Sequence, residues 1–252
     1  MNRIRVESDG AIARITLARP EKKNALDHEM VHELLQALTS SAQHTGTRVV
    51  VLAADGPDFC AGADLAALAG MLDASPAEHY ADAEALGQVF VAMREMPKAV
   101  IAVVRGRALA GGAGLATAAD LVLAHERAQF GYPEVLVGFV PAMVMTMLRR
   151  SVGEKRAYDL VATGRRIDAH EAERIGLVSR VLPDADFDSA VAKIVTGIAE
   201  SPASAESLTK SLFYALDGLG FREGIAAGAR ANVAARGTSD FREGVLKFVG
   251  RS

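Results

Sequence analysis

Three places in this chain carry residues whose type and spacing could do chemistry. Two are glycine-rich turns, FCAGADL at 59–65 and GRALAGGAG at 106–114. Each follows a buried-type apolar run and precedes a helix-like stretch. Small side chains let a ligand approach backbone N–H groups, and a helix start leaves such groups unpaired and electropositive. Two convergent N–H groups would form an oxyanion hole. The same spacing equally describes two tight turns with close helix packing. The third place is Glu134 in FGYPE at 130–134. A carboxylate there could be a general acid or base, or a surface glutamate in a Pro-Glu turn.

Other constellations carry less. His28 and His32 share a helix face, but no third ligand adjoins them and HExxH is absent, so they read as ordinary helix residues rather than a metal pair. Cys60, beside Ala61 and Gly62 with no histidine partner in sequence, reads as a small buried residue rather than a nucleophile. The run GAGLAT at 112–117 nearly spells GxGxxG, and Glu134 stands at the spacing a ribose-binding acid would take. Two features count against a dinucleotide site. Residues 105–110 separate the strand from Gly111, and the last position is Thr117. There is no GxSxG elbow and no GxxxxGK[ST] loop.

These residues need elements to hold them. AIARITL at 11–17 alternates and reads as a strand with Arg14 on its solvated face. RVVVLA at 48–53, AVIAVV at 99–104, LVLA at 121–124 and LVSRVL within 176–182 are continuous apolar runs, as strands covered on both faces require. Asp27 is placed to cap a helix carrying Met30, Val31, Leu34, Leu35 and Leu38. Helical patterns also cover 76–93 and a small-residue segment at 111–119. They dominate from 141 onward: 141–150, 154–163, 168–175, 186–200, 203–217, 221–236 and 239–249. The fold class is α/β, with a core over 1–195 and a helical C-terminal region over 196–252.

Composition narrows the function classes. With 252 residues, 50% of them hydrophobic and 23% charged, the chain can bury a full core, which excludes disorder as its main state. Lys plus Arg is 28 against 31 Asp plus Glu, a net charge of -3, so no overall field draws nucleic acid or an anionic membrane. One cysteine permits neither an internal disulfide nor a thiolate zinc cluster, and points to a reducing, cytoplasmic setting. The N-terminal residues lack a secretory signal core, and no uncharged apolar stretch is long enough to span a bilayer.

Taken together, these motifs give a resemblance. The chain resembles the crotonase, or enoyl-CoA hydratase/isomerase, family over nearly its whole length. The likeness rests on PEKKNAL (20–26), FCAGADL (59–65), GRALAGGAGLATAADLVLA (106–124), AQFGYPEVLVGFVP (128–141), GEKRAYDLVATGRRIDAHEAERIGLVSRV (153–181) and FREGVLKFV (241–249). It implies a spiral of ββα turns with a helical C-terminal trimerisation region, assembled as a homotrimer or dimer of trimers. It also implies an acyl-CoA thioester substrate and no separate cofactor, coenzyme A being part of the substrate. By motif position the oxyanion amides fall on Ala63 and Gly111, and the acid/base on Glu134. Lys22, Ala25, Asp64, Leu65 and Ala66 match positions that line the CoA site, and Lys247 matches a tail position near a neighbour's CoA phosphate. Asp64 and Asp120 also read as structural caps, and Arg165 and Arg166 as a solvated or interface pair.

One departure matters. Family hydratases hold the attacking water between two glutamates, and the position of one of them is Gly114 here. A glycine there leaves room for a bulkier acyl chain. A single Glu134 could still hydrate a 2-enoyl thioester, with water giving its OH to C3 and its proton, through Glu134, to C2. It also suffices to move a 3-double bond to the 2-position. The sequence leaves hydratase, isomerase and non-catalytic acyl-CoA-binding scaffold as alternatives, in that order.

Overall fold

The computed structural model describes residues 3–250. Nine strands form two sheets: β1 (Ile4–Asp9), β2 (Ile12–Leu17), β3 (Val49–Ala54), β4 (Ala99–Val104), β5 (Arg107–Leu109), β6 (Leu121–His125), β7 (Gln129–Gly131), β8 (Arg166–Asp168) and β9 (Arg180–Leu182). The larger sheet runs β1-β2-β3-β4-β6-β9, and the smaller β5-β7-β8. In the larger sheet only the β1–β2 hairpin is antiparallel. The helices are α1 (His28–Gln43), α2 (Leu65–Gly70), α3 (Pro76–Glu95), α4 (Gly111–Ala118), α5 (Ala142–Val152), α6 (Glu154–Thr163), α7 (Ala169–Arg174), α8 (Phe187–Ala199), α9 (Ala203–Ala215), α10 (Phe221–Arg236) and α11 (Ser239–Val249).

The apolar runs sit where two-sided burial demands them. In β3, Val50 and Leu52 enter the main core with α1, α3 and α4, while Val49 and Val51 face Phe187, Val191 and Val195 of α8. Asp27 caps α1 by accepting from the Met30 amide at 2.9 Å. Ser75 and Glu78 close a capping box at the start of α3. The small residues of α4 let it pass through the core, with every residue from Gly112 to Ala118 buried.

Several elements differ from the sequence reading. β1 buries only Ile4, so its burial does not alternate. β5, β7 and β8 are three residues each, too short for a periodic signal. The strand expected within 176–182 shortens to β9, because the amides of Leu177 and Val178 still bond the Ala172 carbonyl at the end of α7. Arg165 is ion-paired with Asp159 and Glu171 at the surface, whereas Arg166 opens β8. The boundary expected at 195 falls inside α8.

The C-terminal helices are tied to the core through one buried group. Lys210 of α9 donates to the carbonyls of Met93 and Lys98 and to Asp120 Oδ2, at 2.7, 2.9 and 2.7 Å. Tyr214 donates to Asp120 Oδ1 at 2.7 Å, and the Val100 amide also donates to this carboxylate. Asp120 is thus the structural group the sequence suggested. Among the described residues no helix is long and apolar enough to cross a membrane.

Candidate active site

The site begins where the chain leaves β3. Asn24, fully buried and at φ 53°, accepts from the Arg19 amide at 2.8 Å. Its side chain donates to the carbonyls of Asp55 and Asp58, both at 2.9 Å. This fixes the PEKKNAL turn against the first glycine loop. Asp58 then accepts from Arg107 Nε and Nη2 at 2.7 and 2.6 Å, which joins the two glycine loops. The Arg107 guanidinium holds the Asp58 carboxyl below its usual range despite burial.

The loops also bond directly. Cys60 N–H donates to the Arg107 carbonyl at 3.0 Å, and Leu109 N–H to the Cys60 carbonyl at 2.9 Å. Two glycines permit the contact. A Cβ on Gly62, at φ +93°, would lie 2.7 Å from Ala110 Cβ and 3.5 Å from the Gly111 nitrogen, and one on Gly112 would strike the carbonyl and side chain of Cys60. Ala110, at φ 50°, ψ -124°, donates its N–H to the Gly131 carbonyl at 2.9 Å. Such a conformation costs an alanine on the order of 1–3 kcal/mol and is retained where the surroundings impose it.

That turn presents Gly111 as the first residue of α4. Neither its amide nor that of Ala63 donates to a protein acceptor among the described residues. For Ala63 the reason is the parallel bridge to Leu26. Leu26 N–H donates to the Gly62 carbonyl and Asp64 N–H to the Leu26 carbonyl, each at 2.8 Å, so the bridge uses the carbonyl before Ala63 and the N–H after it and leaves the Ala63 N–H out. The residues expected to carry the oxyanion amides therefore sit on touching turns with their N–H groups free. Leu26 and Leu86 flank Gly111, a Cβ there being 3.3 and 3.6 Å from their methyl carbons.

Glu134 arrives from the second sheet. β7 pairs with β5, Leu109 opposite Gly131, and Pro133 starts a 3-10 turn with Glu134 in its first turn. Tyr132, fully buried, is hydrogen-bonded to Thr117 of α4 at 2.8 Å. Glu134 is 8% exposed, and its buried Oε2 has no hydrogen-bond partner. Burial pushes its carboxyl up. It is not the surface glutamate of a Pro-Glu turn.

The remaining expected residues divide. Ala25 is buried with its carbonyl accepting from Arg19, while Lys22, Leu65 and Ala66 are exposed around the first loop. Asp64 caps α2 through the Ala66 amide and pairs with Arg19 at 3.0 Å. Burial opposes its charge, but Arg19 and the amides of α2 outweigh it and hold the Asp64 carboxyl low. Lys247 lies exposed on α11. Cys60 is buried with its thiol pushed up to about 12, unfit for a thiolate nucleophile. Among the described residues no cluster of metal-ligating side chains forms.

Gly114 requires a correction. It does not leave room for an acyl chain: a Cβ there would lie 2.8 Å from Val144 Cγ2 and 2.9 Å from Phe90 Cζ. Apolar side chains from α3 and α5 fill the space beside it. Phe90 and Val144, and also Arg19 and Asn24, belong to the site although their sequence positions do not mark them as such.

Comparison with known proteins agrees with this architecture. The model of the enoyl-CoA hydratase/isomerase family matches residues 7–252. A Thermus thermophilus protein that carries the provisional name enoyl-CoA hydratase is 41% identical over 95% of this chain and 94% of its own. Among solved structures, an enoyl-CoA hydratase from Mycobacterium smegmatis superposes with a TM-score of 0.94 at 30% identity, covering 99% of this chain and 96% of that one. An enoyl-CoA hydratase from Bacillus anthracis does so with a TM-score of 0.93 at 31% identity, covering 99% and 96%. The touching glycine loops and the buried glutamate beyond β7 thus stand in a chain that belongs to the enoyl-CoA hydratase/isomerase family and has the crotonase fold.

Proposed function

We propose that this protein adds water to a 2-enoyl-CoA thioester with Glu134 as its only carboxylate acid/base. The observation that carries the reading is the Glu134 carboxyl, buried, with its Oε2 unpartnered and its pKa raised by burial. A base poised toward neutral pH is what proton transfer needs. The water oxygen bonds to C3 as the C2–C3 electron pair moves into the thioester. Glu134 takes the water proton and returns it to C2, so one water is added and the carboxylate is regenerated. Charge on the thioester oxygen is met by the amides of Ala63 and Gly111, each such donor being worth about 3–4 kcal/mol. Lys22, Ala25, Leu65 and Ala66 border the coenzyme A. No group besides substrate, water and protein enters the reaction, and the working form is a homotrimer or a dimer of trimers.

Phe90 and Val144 favour a second reading. With apolar groups beside Gly114, one carboxylate suffices to carry a proton from C2 to C4 and shift a 3-double bond to the 2-position. Ultraviolet absorbance of the conjugated thioester separates the two. Its loss when 2-enoyl-CoA is added supports hydration. Its growth from 3-enoyl-CoA, with no loss from 2-enoyl-CoA, supports the isomerase. Neither change, with coenzyme A still raising the melting temperature, leaves a binding scaffold.

A further inference from the structure

We infer that Arg19 is a positioning residue for the Ala63 amide, an inference that rests on the oxyanion reading of that amide. The Arg19 side chain is only 11% exposed. Its guanidinium reaches three acceptors: the Ala25 carbonyl at 3.0 Å, Asp27 Oδ2 at 2.7 Å and Asp64 Oδ2 at 3.0 Å. Those acceptors bracket one feature. Ala25 precedes Leu26, Asp64 follows Ala63, and Leu26 and Ala63 form the bridge that turns the Ala63 amide free. Asp27 caps α1 on the far side of Leu26. Arg19 therefore clamps both strands of the bridge at once.

The clamp is itself anchored. Arg19 N–H donates to Asn24 Oδ1 at 2.8 Å, and Asn24 N–H returns to the Arg19 carbonyl at 2.9 Å. Asp27 is shared with Arg3, whose Nε lies 3.0 Å from Oδ1, so its charge stays compensated if Arg19 is replaced. The planar fork reaches these acceptors from two nitrogens, Nη1 for Ala25 and Asp27 and Nη2 for Asp64, whereas a lysine would have to reach all three from a single ammonium.

The test reads the amide itself. A thioester conjugated to an aryl ring absorbs at longer wavelength when its carbonyl is polarised, so the red shift of a bound aryl-enoyl-CoA reports the oxyanion contacts. Arg19→Lys, Arg19→Met and Asp64→Asn are compared with the wild type for this shift, for kcat and KM, and for melting temperature. The expected result is a smaller red shift in all three, with kcat down about 10–100-fold, the scale of a small misplacement of a catalytic group, and KM little changed. Folded Arg19 variants with the wild-type red shift and kcat overturn the inference. So does loss of folding in all three variants, which makes Arg19 a general structural residue. If the wild type binds the probe with no red shift, it is the oxyanion reading that fails.

Discussion

The proposed chemistry turns on one carboxyl group. Burial disfavours the charge on Glu134 and raises its pKa, outweighing the hydrogen bond from its own backbone amide. Hydration needs the carboxylate, so kcat/KM should climb with pH through that raised value, and its acid limb should centre above the ordinary 4.5 of a glutamate. A pH–rate profile with the limb at or below that value contradicts the assignment. Gly114→Glu, which restores the second carboxylate in sequence, must displace Phe90 or Val144. Overpacking costs about 1–3 kcal/mol, and burying the new charge adds to it. The variant should melt below the wild type and hydrate no faster, with Phe90→Ala recovering part of the loss. A stable Gly114→Glu protein with faster hydration would show an open slot. Glu134, Ala63 and Gly111 could be named from the sequence because each lies in a contiguous motif. Phe90 and Val144 could not, since their contact with Gly114 joins three helices. Arg19 and Asn24 escaped for another reason: Arg and Asn are surface residues by default, and nothing in sequence marks these two as buried.

At the scale of elements, the two-sided strands were legible because their apolar runs are continuous, and α1 because its cap and spacing agree. The second sheet was not. Its strands take three residues each from segments read as glycine turns or loops, yet it brings Glu134 toward the loops. The attachment of α9 was equally hidden, because it depends on a lysine that composition assigns to solvent. Lys210→Met removes the charged partner of Asp120, whose side chain is 16% exposed, and deprives two carbonyls of their donor. Breaking a buried pair from one side costs about 3–5 kcal/mol. Chemical denaturation should show a loss of that order, and a loss below about 1 kcal/mol, as for a surface pair, would place Lys210 outside the core.

The whole molecule leaves its last helices unfinished. Phe221, Ile225 and Val233 of α10 and Leu246, Phe248 and Val249 of α11 are exposed, apolar side chains of the kind that an interface between subunits would cover. Sedimentation should find a trimer or a dimer of trimers, and Phe221→Asp should shift it toward monomer; a monomeric wild type contradicts the proposed assembly. The central claim is that this assembly hydrates an enoyl thioester through a single carboxyl group, and the direct measurement is turnover of 2-enoyl-CoA in isotopically labelled water by the wild type and Glu134→Gln. The expected result is oxygen label at C3 from the wild type, and from the variant a rate lower by about 10²–10⁴-fold with coenzyme A binding retained. Glu134→Gln turning over at the wild-type rate, or a wild type that never incorporates the label, would contradict it.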